Sequence, residues 1–160
     1  MNYYVRIGIL TAFIIMIFHL AVFYSGSFYT SIGRYALLLD LLIMLPGIFW
    51  GIKSKKERDL KQNYILKEAI KSGLQVVTAV SFTVAFFTYI FFLFEIPAIL
   101  TQTQNYLVSV DTPAASISGI LTNAQNYFSP FHQATISLFM HLIPGVIISV
   151  IFATLLGQKK

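Results

Sequence analysis

The sequence has 160 residues, of which 57% are hydrophobic and 11% are charged, against about 45–50% and 25% in soluble domains. This composition, with a mean hydropathy of +0.76, excludes a disordered tail, a collagen-like fibre and an ordinary water-soluble enzyme. The sequence contains no cysteine, which excludes disulfide scaffolds, thiolate metal sites and thiol nucleophiles. The net charge of +5 lies between apolar segments, as in membrane proteins, and does not indicate nucleic-acid binding.

The first predicted element is an apolar helix over residues 7–24, preceded by Tyr3, Tyr4 and Arg6. Tyrosine favours the headgroup layer, so the two tyrosines mark a membrane boundary. A signal peptide cleaved near residues 25–27 is the alternative, because small side chains follow the apolar run. The run exceeds the ~7–15 residues of a signal peptide, and we therefore expect the helix to be retained.

Three more apolar stretches follow, over residues 35–52, 74–94 and 134–156. Each of the four stretches has roughly 18–23 residues, enough to cross a hydrocarbon core of about 30 Å at 1.5 Å per residue. None shows the polar face of a soluble helix, and all are too long for membrane strands. The sequence therefore predicts an all-α integral membrane four-helix bundle, with one transmembrane domain over residues 1–160.

Basic residues distinguish the two sides of this bundle. Of the eleven Lys and Arg residues, only Arg34 lies outside the termini and the loop 53–73. The positive-inside rule therefore predicts that both termini and this loop are cytoplasmic and that the segment 95–133 is periplasmic. Within the outer segment, residues 111–113 supply a cap followed by a proline, which predicts a short helix that begins at Pro113.

Small and polar residues recur on one face of each predicted helix. In lipid, close approach over small residues and interhelical hydrogen bonds hold helices together, so these faces are expected to point inward. The Phe- and Ile-rich remainder is expected to face lipid. The predicted packing residues are Gly8, Gly47, Gly51, Gly145 and Ser149. The corresponding stripe of the third helix contains Gln75, Thr78, Ser81, Ala85 and Thr88.

Four ionisable residues are predicted in the outer third of the membrane: His19, Asp40, Glu95 and His141. His19 and Asp40 each lie about 7–8 Å below the outer boundary, and His141 lies about 10 Å below it. An unpaired carboxylate there would cost about 2–3 kcal/mol. We hypothesise that His19 and Asp40 are hydrogen-bonded, with His141 close by, in a polar pocket open to the periplasm. The cluster is either a structural pair that fixes helix register or a proton or cation site.

The sequence carries no motif of a known catalytic or cofactor site. It has no phosphate-binding or dinucleotide-binding glycine loop, no His-Glu-x-x-His and no Gly-x-Ser-x-Gly. His132 and His141 are nine residues apart, on opposite faces of a helix, which disfavours a shared metal ion. Ser137 and His141 share a face, but interhelical hydrogen bonding explains such residues more often than a catalytic dyad. We therefore expect no enzyme activity, no cofactor and no metal.

Five short segments carry a resemblance to a known family. They are LPGIFWGIK at 45–53, ERD at 57–59, KEAIKSGL at 67–74, SPF at 129–131 and LIPGVIIS at 142–149. On these segments the chain resembles the domain of unknown function 4199 family, small four-helix membrane proteins of Bacteroidota-type bacteria. The resemblance implies a bacterial inner-membrane location and implies no activity. Members often have an acidic residue where His141 stands.

The sequence favours a non-enzymatic inner-membrane protein that acts through partners or assembly. The alternative is a small oligomeric transporter or proton-linked channel, since four helices rarely enclose a pathway alone. The expected partners are the lipid bilayer and either a second copy or another membrane protein, with no nucleic acid. A transporter would need water to reach the polar stripes, whereas a scaffold would not.

Overall fold

The structure is a computed structural model that describes residues 2–26, 31–58 and 65–157. Within these ranges the chain forms helices and no strand, which confirms the all-α prediction. The helices are α1 Tyr3–Tyr24, α2 Ser31–Arg58, α3 Leu66–Ser109, α4 Ala114–Tyr127 and α5 Pro130–Gly157.

Three of the described helices, α1, α3 and α5, are long and apolar enough to cross a membrane. They have 22, 44 and 28 residues, whereas about 20 apolar residues suffice to span the hydrocarbon core. The membrane character predicted from composition is therefore supported by three helices, each of which contains one of the predicted spans. The remaining predicted span, 35–52, lies within α2, which has 28 residues.

The described parts of the predicted basic loop 53–73 are mostly helical. Its first residues belong to the last turns of α2, and α3 begins at Leu66. Residues 59–64 of this loop lie outside the described residues. The third helix thus starts before the apolar run, because the Lys-rich segment 67–71 keeps a helical spacing of apolar side chains.

The third helix also continues past the predicted membrane boundary at residue 94. It contains Pro97 and ends only at Ser109. After the proline, Ile99 and Thr103 are buried one turn apart, so the inward face of the helix is maintained. The first part of the predicted outer segment is therefore an extension of α3.

Asp111 ends α3 and does not cap the next helix, which corrects the prediction for this segment. Its φ of 54° lies in the left-handed region, which Asp tolerates better than most non-glycine residues. The N–H of Thr112 then donates to Leu107 O and satisfies a carbonyl of the last turn. Pro113 occupies the N-cap position of α4, with no side-chain cap, and is not the first helical residue.

The chain divides into two compact units. The first unit comprises residues 1–84 with 138–160, and the second comprises residues 85–137. In the first unit, α1, α2, the start of α3 and the end of α5 share one apolar core. Its fully buried residues include Ala12, Ile15, Met44, Ile48, Ile52, Val76, Val77, Val80 and Ala153.

Glycine permits close helix contacts in the first unit. A Cβ on Gly8 of α1 would lie 2.6 Å from both Val76 O and Ala79 Cβ of α3. A Cβ on Gly145 of α5 would lie 2.6 Å from Val77 Cγ1 of α3. A larger side chain at either position would push two helices apart.

The two predicted packing glycines of α2 also lie at helix contacts. Gly47 faces Thr11 of α1, and Gly51 faces Val76 of α3. In both cases an added Cβ would overlap the neighbouring side chain. These two contacts hold α2 against two different helices of the first unit.

Gly73 forms a close contact that sequence reasoning missed. A Cβ there would lie 2.9 Å from Ser149 Oγ and 3.0 Å from Ile52 Cδ1. Ser149, a predicted packing residue, is fully buried and donates to Gly145 O at 2.8 Å. The sequence pattern predicts that Gly73 lies in the basic loop 53–73, outside the small-residue stripe of the third helix.

The second unit has fewer buried side chains than the first. The rings of Phe92 and Phe128 stack with centroids 6.0 Å apart. Thr88 donates to Ser137 Oγ at 3.4 Å. α4 has no buried residue, and Ile117, Leu121 and Ala124 on one of its faces are half-buried.

Candidate functional site

Asp40 is a carboxylate buried within the first unit. It lies on α2 four residues before Met44 and eight before Ile48, and all three residues are 0% exposed. This spacing turns the three side chains to one face of the helix. A buried carboxylate in apolar surroundings is costly unless other groups pair with it. In the first unit, α1 and α5 supply those groups.

Two imidazoles approach the same oxygen of Asp40. His19 Nε2 on α1 lies 2.7 Å from Asp40 Oδ2, which is a short hydrogen bond. His141 Nε2 on α5 lies 3.5 Å from the same oxygen. One carboxylate oxygen therefore lies between two imidazole rings and connects three helices.

The hydrogen-bonding roles of these groups limit where their protons can lie. A carboxylate accepts hydrogen bonds, so a ring that bonds to it through Nε2 must carry a proton there. A neutral imidazole does so in its Nε2–H tautomer, and a protonated imidazole donates from both nitrogens. The cluster can thus gain or lose a proton while its heavy atoms keep the same arrangement.

The three members of the cluster differ in access to the surface. The side chain of His19 is 35% exposed, whereas those of Asp40 and His141 are 0% and 2% exposed. His19 is therefore the member of the cluster that reaches the surface of the first unit. Further along the same face of α2, Met44 and Ile48 are fully buried apolar residues, so no polar side chain follows Asp40 on the next two turns.

The fourth predicted member, Glu95, lies on α3 in the second unit. Of the four ionisable residues predicted to form one site, the first unit therefore contains three. The third histidine of the sequence, His132, also belongs to the second unit. Its ring meets the edge of Tyr127 with centroids 5.6 Å apart.

Ser81 of α3 is a buried polar residue that was not predicted as a site residue. It is 0% exposed, and its hydroxyl has no hydrogen-bond partner among the residues that the structure describes. The sequence pattern places it on the inward stripe of the third helix. A stripe on one helix gives no information on the register against another helix, so its position relative to the cluster could not be predicted.

The chemistry available to the cluster is proton exchange. An imidazole carries a proton on one or on both of its ring nitrogens, and a carboxylate oxygen accepts a hydrogen bond from either. Over the described ranges, no three His, Cys, Asp or Glu side chains are arranged to hold a metal ion.

The fold and the cluster together define a class of protein. It is an all-helical protein with helices of membrane-spanning length and a buried imidazole–carboxylate–imidazole cluster. Comparison of the chain with protein-family models, with curated proteins and with solved structures finds no match. The function is therefore inferred from the groups in the site.

Proposed function

We propose that the chain is an integral membrane protein in which four helices cross the bilayer as a bundle. The length and apolar character of α1, α3 and α5 support three of the spans. The surface of α2 supports the fourth, because Leu38, Leu42 and Trp50 are 58–59% exposed. Aliphatic side chains exposed along a helix are stable in lipid, and tryptophan favours the membrane interface.

We infer that both termini and the basic loop are cytoplasmic and that the protein resides in a bacterial inner membrane. The positive-inside rule supports the orientation. Lys55 Nζ lies 3.8 Å from Glu68 Oε2, and Lys56 donates to Leu156 O. These contacts gather the ends of α2 and α5 and the start of α3 at one basic end. The inner-membrane location is the expectation that the resemblance to the domain of unknown function 4199 family implies.

Reporter fusions test this orientation. A reporter after Lys160 is expected to report a cytoplasmic location, and reporters within residues 101–125 a periplasmic one. A periplasmic signal from the C-terminal fusion would contradict the assignment.

We propose a non-enzymatic function in which the His19–Asp40–His141 cluster binds a proton and the protein acts through a partner or a second copy. The observation that carries this proposal is the position of Asp40 Oδ2, 2.7 Å and 3.5 Å from two imidazole nitrogens. A pair that only fixes helix register needs one imidazole. The second ring allows a proton to be held among three groups while the carboxylate stays buried.

The dependence on a partner follows from the interior beside the cluster. Along α2, the face that carries Asp40 continues with Met44, Ile48 and Ile52, which are apolar and fully buried. One copy thus holds the proton near one surface and offers it no polar side chain on the following turns of this face. An effect beyond the site requires a second protein surface.

Ring-nitrogen NMR of the three histidines tests proton binding. Asp40→Asn preserves the shape of the side chain and removes its charge. We expect the ring-nitrogen signals of His19 and His141 to change in Asp40→Asn, because Asp40 Oδ2 lies 2.7 Å and 3.5 Å from their Nε2 atoms. His132, whose ring meets Tyr127, is the internal control and should give the same signals in both proteins. Signals of His19 and His141 that are the same in both proteins would contradict the proposal.

Co-purification in mild detergent, followed by mass spectrometry, tests action through assembly. The full chain is expected to elute with a second copy or with one membrane protein in reproducible proportion. Recovery as a monomer without partners, at every detergent concentration that preserves the fold, would contradict this part of the proposal.

A small oligomeric proton-linked transporter is the second candidate function. The side chain of His19 favours it, because it is 35% exposed and so brings one member of the cluster to the surface of the first unit. Purified protein in vesicles loaded with a pH-sensitive dye distinguishes the candidates. Proton flux that is lost in Asp40→Asn supports transport, and the absence of flux from the unmodified protein excludes it.

A further inference from the structure

A groove lies on the surface of the first unit, along the contact between α1 and α3. Its volume is about 440 Å³, within the range of about 300–1,000 Å³ that small-molecule pockets occupy. α1 contributes Val5 and Ile9 to its lining. The residues that α3 contributes on successive turns include Lys71, Gln75, Thr78 and Phe82. The groove is therefore polar at one end and apolar along the rest of its length.

The polar end of the groove carries a lysine that no acidic residue neutralises. α1 and α3 run in the same direction, since each is antiparallel to α2, and Lys71 lies near the start of α3. The acidic residue closest to it along this helix, Glu68, pairs with Lys55 of α2 at 3.8 Å. Lys71 itself has no ion pair or hydrogen bond among the residues that the structure describes.

The hydrogen bonds of Asn2 set the orientation of the Gln75 amide. As the N-cap of α1, Asn2 accepts from the N–H of Tyr4 through Oδ1 at 3.3 Å. Its Nδ2 is therefore the atom that donates to Gln75 Oε1, also at 3.3 Å. Gln75 uses its carbonyl oxygen in this bond, so its Nε2 keeps two N–H donors, with no partner in the described ranges. An ammonium and an amide, one turn apart, thus offer donors to an anion.

The groove has the length of one membrane leaflet. Lys71 and Phe82 are eleven residues apart, or about 16 Å along the helix axis at 1.5 Å per residue. Half of a hydrocarbon core of about 30 Å is about 15 Å. An acyl chain whose headgroup lies at Lys71 therefore reaches the level of Phe82 close to the middle of the bilayer.

We propose that this groove binds one anionic phospholipid of the cytoplasmic leaflet. The phosphate accepts hydrogen bonds from the Lys71 ammonium and the Gln75 amide. One acyl chain lies along Ile9, Thr78 and Phe82. Basic sites between membrane helices on the cytoplasmic side suit anionic headgroups, whereas a zwitterionic headgroup brings a cation of its own next to Lys71. The inference rests on the proposed membrane-spanning bundle and its orientation.

Quenching of tryptophan fluorescence by brominated lipids tests the proposal on the full chain in vesicles. The sequence has one tryptophan, so Trp50→Phe gives a background in which Phe82→Trp reports from the groove alone. Phe82 is 60% exposed, and a larger ring is therefore accommodated there.

Phe13→Trp in the same background is the matched control. Phe13 is 52% exposed on α1 and does not line the groove. It lies five residues after Gly8, which faces Val76 and Ala79 of α3, and so it is at about the depth of Phe82. The two reporters differ in their access to the groove and share their depth in the bilayer.

The vesicles contain phosphatidylglycerol and phosphatidylcholine in equal amounts, with one of the two brominated. At Phe82→Trp, phosphatidylglycerol is expected to bind about fivefold more strongly than phosphatidylcholine, the effect of one lysine on an anionic lipid. The ratio should fall to about one in Lys71→Gln. It should be unchanged in Lys53→Gln, which removes the same charge from an exposed position on α2. At Phe13→Trp, the ratio should be about one.

Equal ratios at the two reporters, or a ratio at Phe82→Trp that Lys71→Gln leaves unchanged, would overturn the lipid site. A reporter in the groove that neither lipid quenches would also overturn it, because a protein surface such as a second copy then covers the groove. Native mass spectrometry of the chain without tryptophan reporters gives a second measurement. One phosphatidylglycerol should stay bound and be lost in Lys71→Gln, and retention of none would overturn the site.

The reporter fusions separate a failure of this inference from a failure of the proposed function. If fusions within residues 101–125 report the cytoplasm while the fivefold ratio holds, the proposed orientation fails and the lipid site stands, in the opposite leaflet. If the fusions report the expected sides while the ratios are equal, the lipid site fails and the proposed orientation stands.

Discussion

The two units of this chain are built from the same kind of apolar helix but are held by different contacts. In the first unit, glycines stand where any Cβ would overlap a neighbouring helix, and a buried carboxylate joins three helices. In the second unit, α4 buries no residue, and its Gly119 has no atom within 4 Å of a would-be Cβ. Apolar composition is common to both. Close contacts at glycines and a buried ionisable cluster distinguish the first unit.

The largest effect is expected at Gly145. Gly145→Leu would force a side chain into the space held by Val77 and Met44, and we expect it to lower the free energy of unfolding by about 1–3 kcal/mol. Ile147→Leu is the control, because Ile147 is 56% exposed and its replacement should be nearly neutral. Unfolding in mixed micelles measures both, and equal losses would refute the inward position of Gly145.

The same substitution is expected to have opposite signs in the two units. Gly8→Ala brings a methyl group against Val76 O and Ala79 Cβ and should destabilise the protein by about 1 kcal/mol. Gly119→Ala adds a methyl group in open space within a helix and should stabilise α4 by about 0.5–1 kcal/mol. Unfolding of the first variant and the helicity of α4 in the second test this. If both substitutions stabilised the protein, or both destabilised it, the two units would not differ in how closely their helices pack at glycine.

A local contact of the second unit provides a smaller effect. Phe92 is 8% exposed and stacks on Phe128, a contact worth about 0.5–1.5 kcal/mol beyond simple burial. Phe92→Ala should therefore weaken protection of the α4–α5 connection against amide hydrogen exchange. Phe94→Ala, at a position 74% exposed, should not. Equal protection in both variants would show that the stacked pair does not hold this unit.

The helical fold could be predicted because its signal is local. Apolar runs of sufficient length indicate helices, and the small residues Gly8, Gly47, Gly51 and Gly145 indicate inward faces without knowledge of their partners. Where helices end could not be predicted so well. α3 continues through Pro97, and Asp111 closes it, because carbonyl satisfaction and burial of Ile99 and Thr103 decide the end of a helix and hydropathy does not.

The pairing of His19 with Asp40 follows from their similar depths in the membrane. Each depth is found by counting residues along one helix, so it needs no knowledge of contacts between helices. The place of Glu95 in the second unit could not be found in this way, because it depends on where the chain divides into compact units. Gly73 was missed because its partner Ser149 lies on another helix.

The most direct test of the account is a double-mutant cycle between His19 and Asp40, with the free energy of unfolding as the measurement. His19→Leu and Asp40→Asn, made singly and together, are expected to be coupled by about 0.6–1.7 kcal/mol, the range of hydrogen bonds between membrane helices. His132→Leu combined with Asp40→Asn is the control pair and should show no coupling. Coupling for the first pair alone is the result expected of a buried cluster in the first unit. Additive effects of His19→Leu and Asp40→Asn would contradict it.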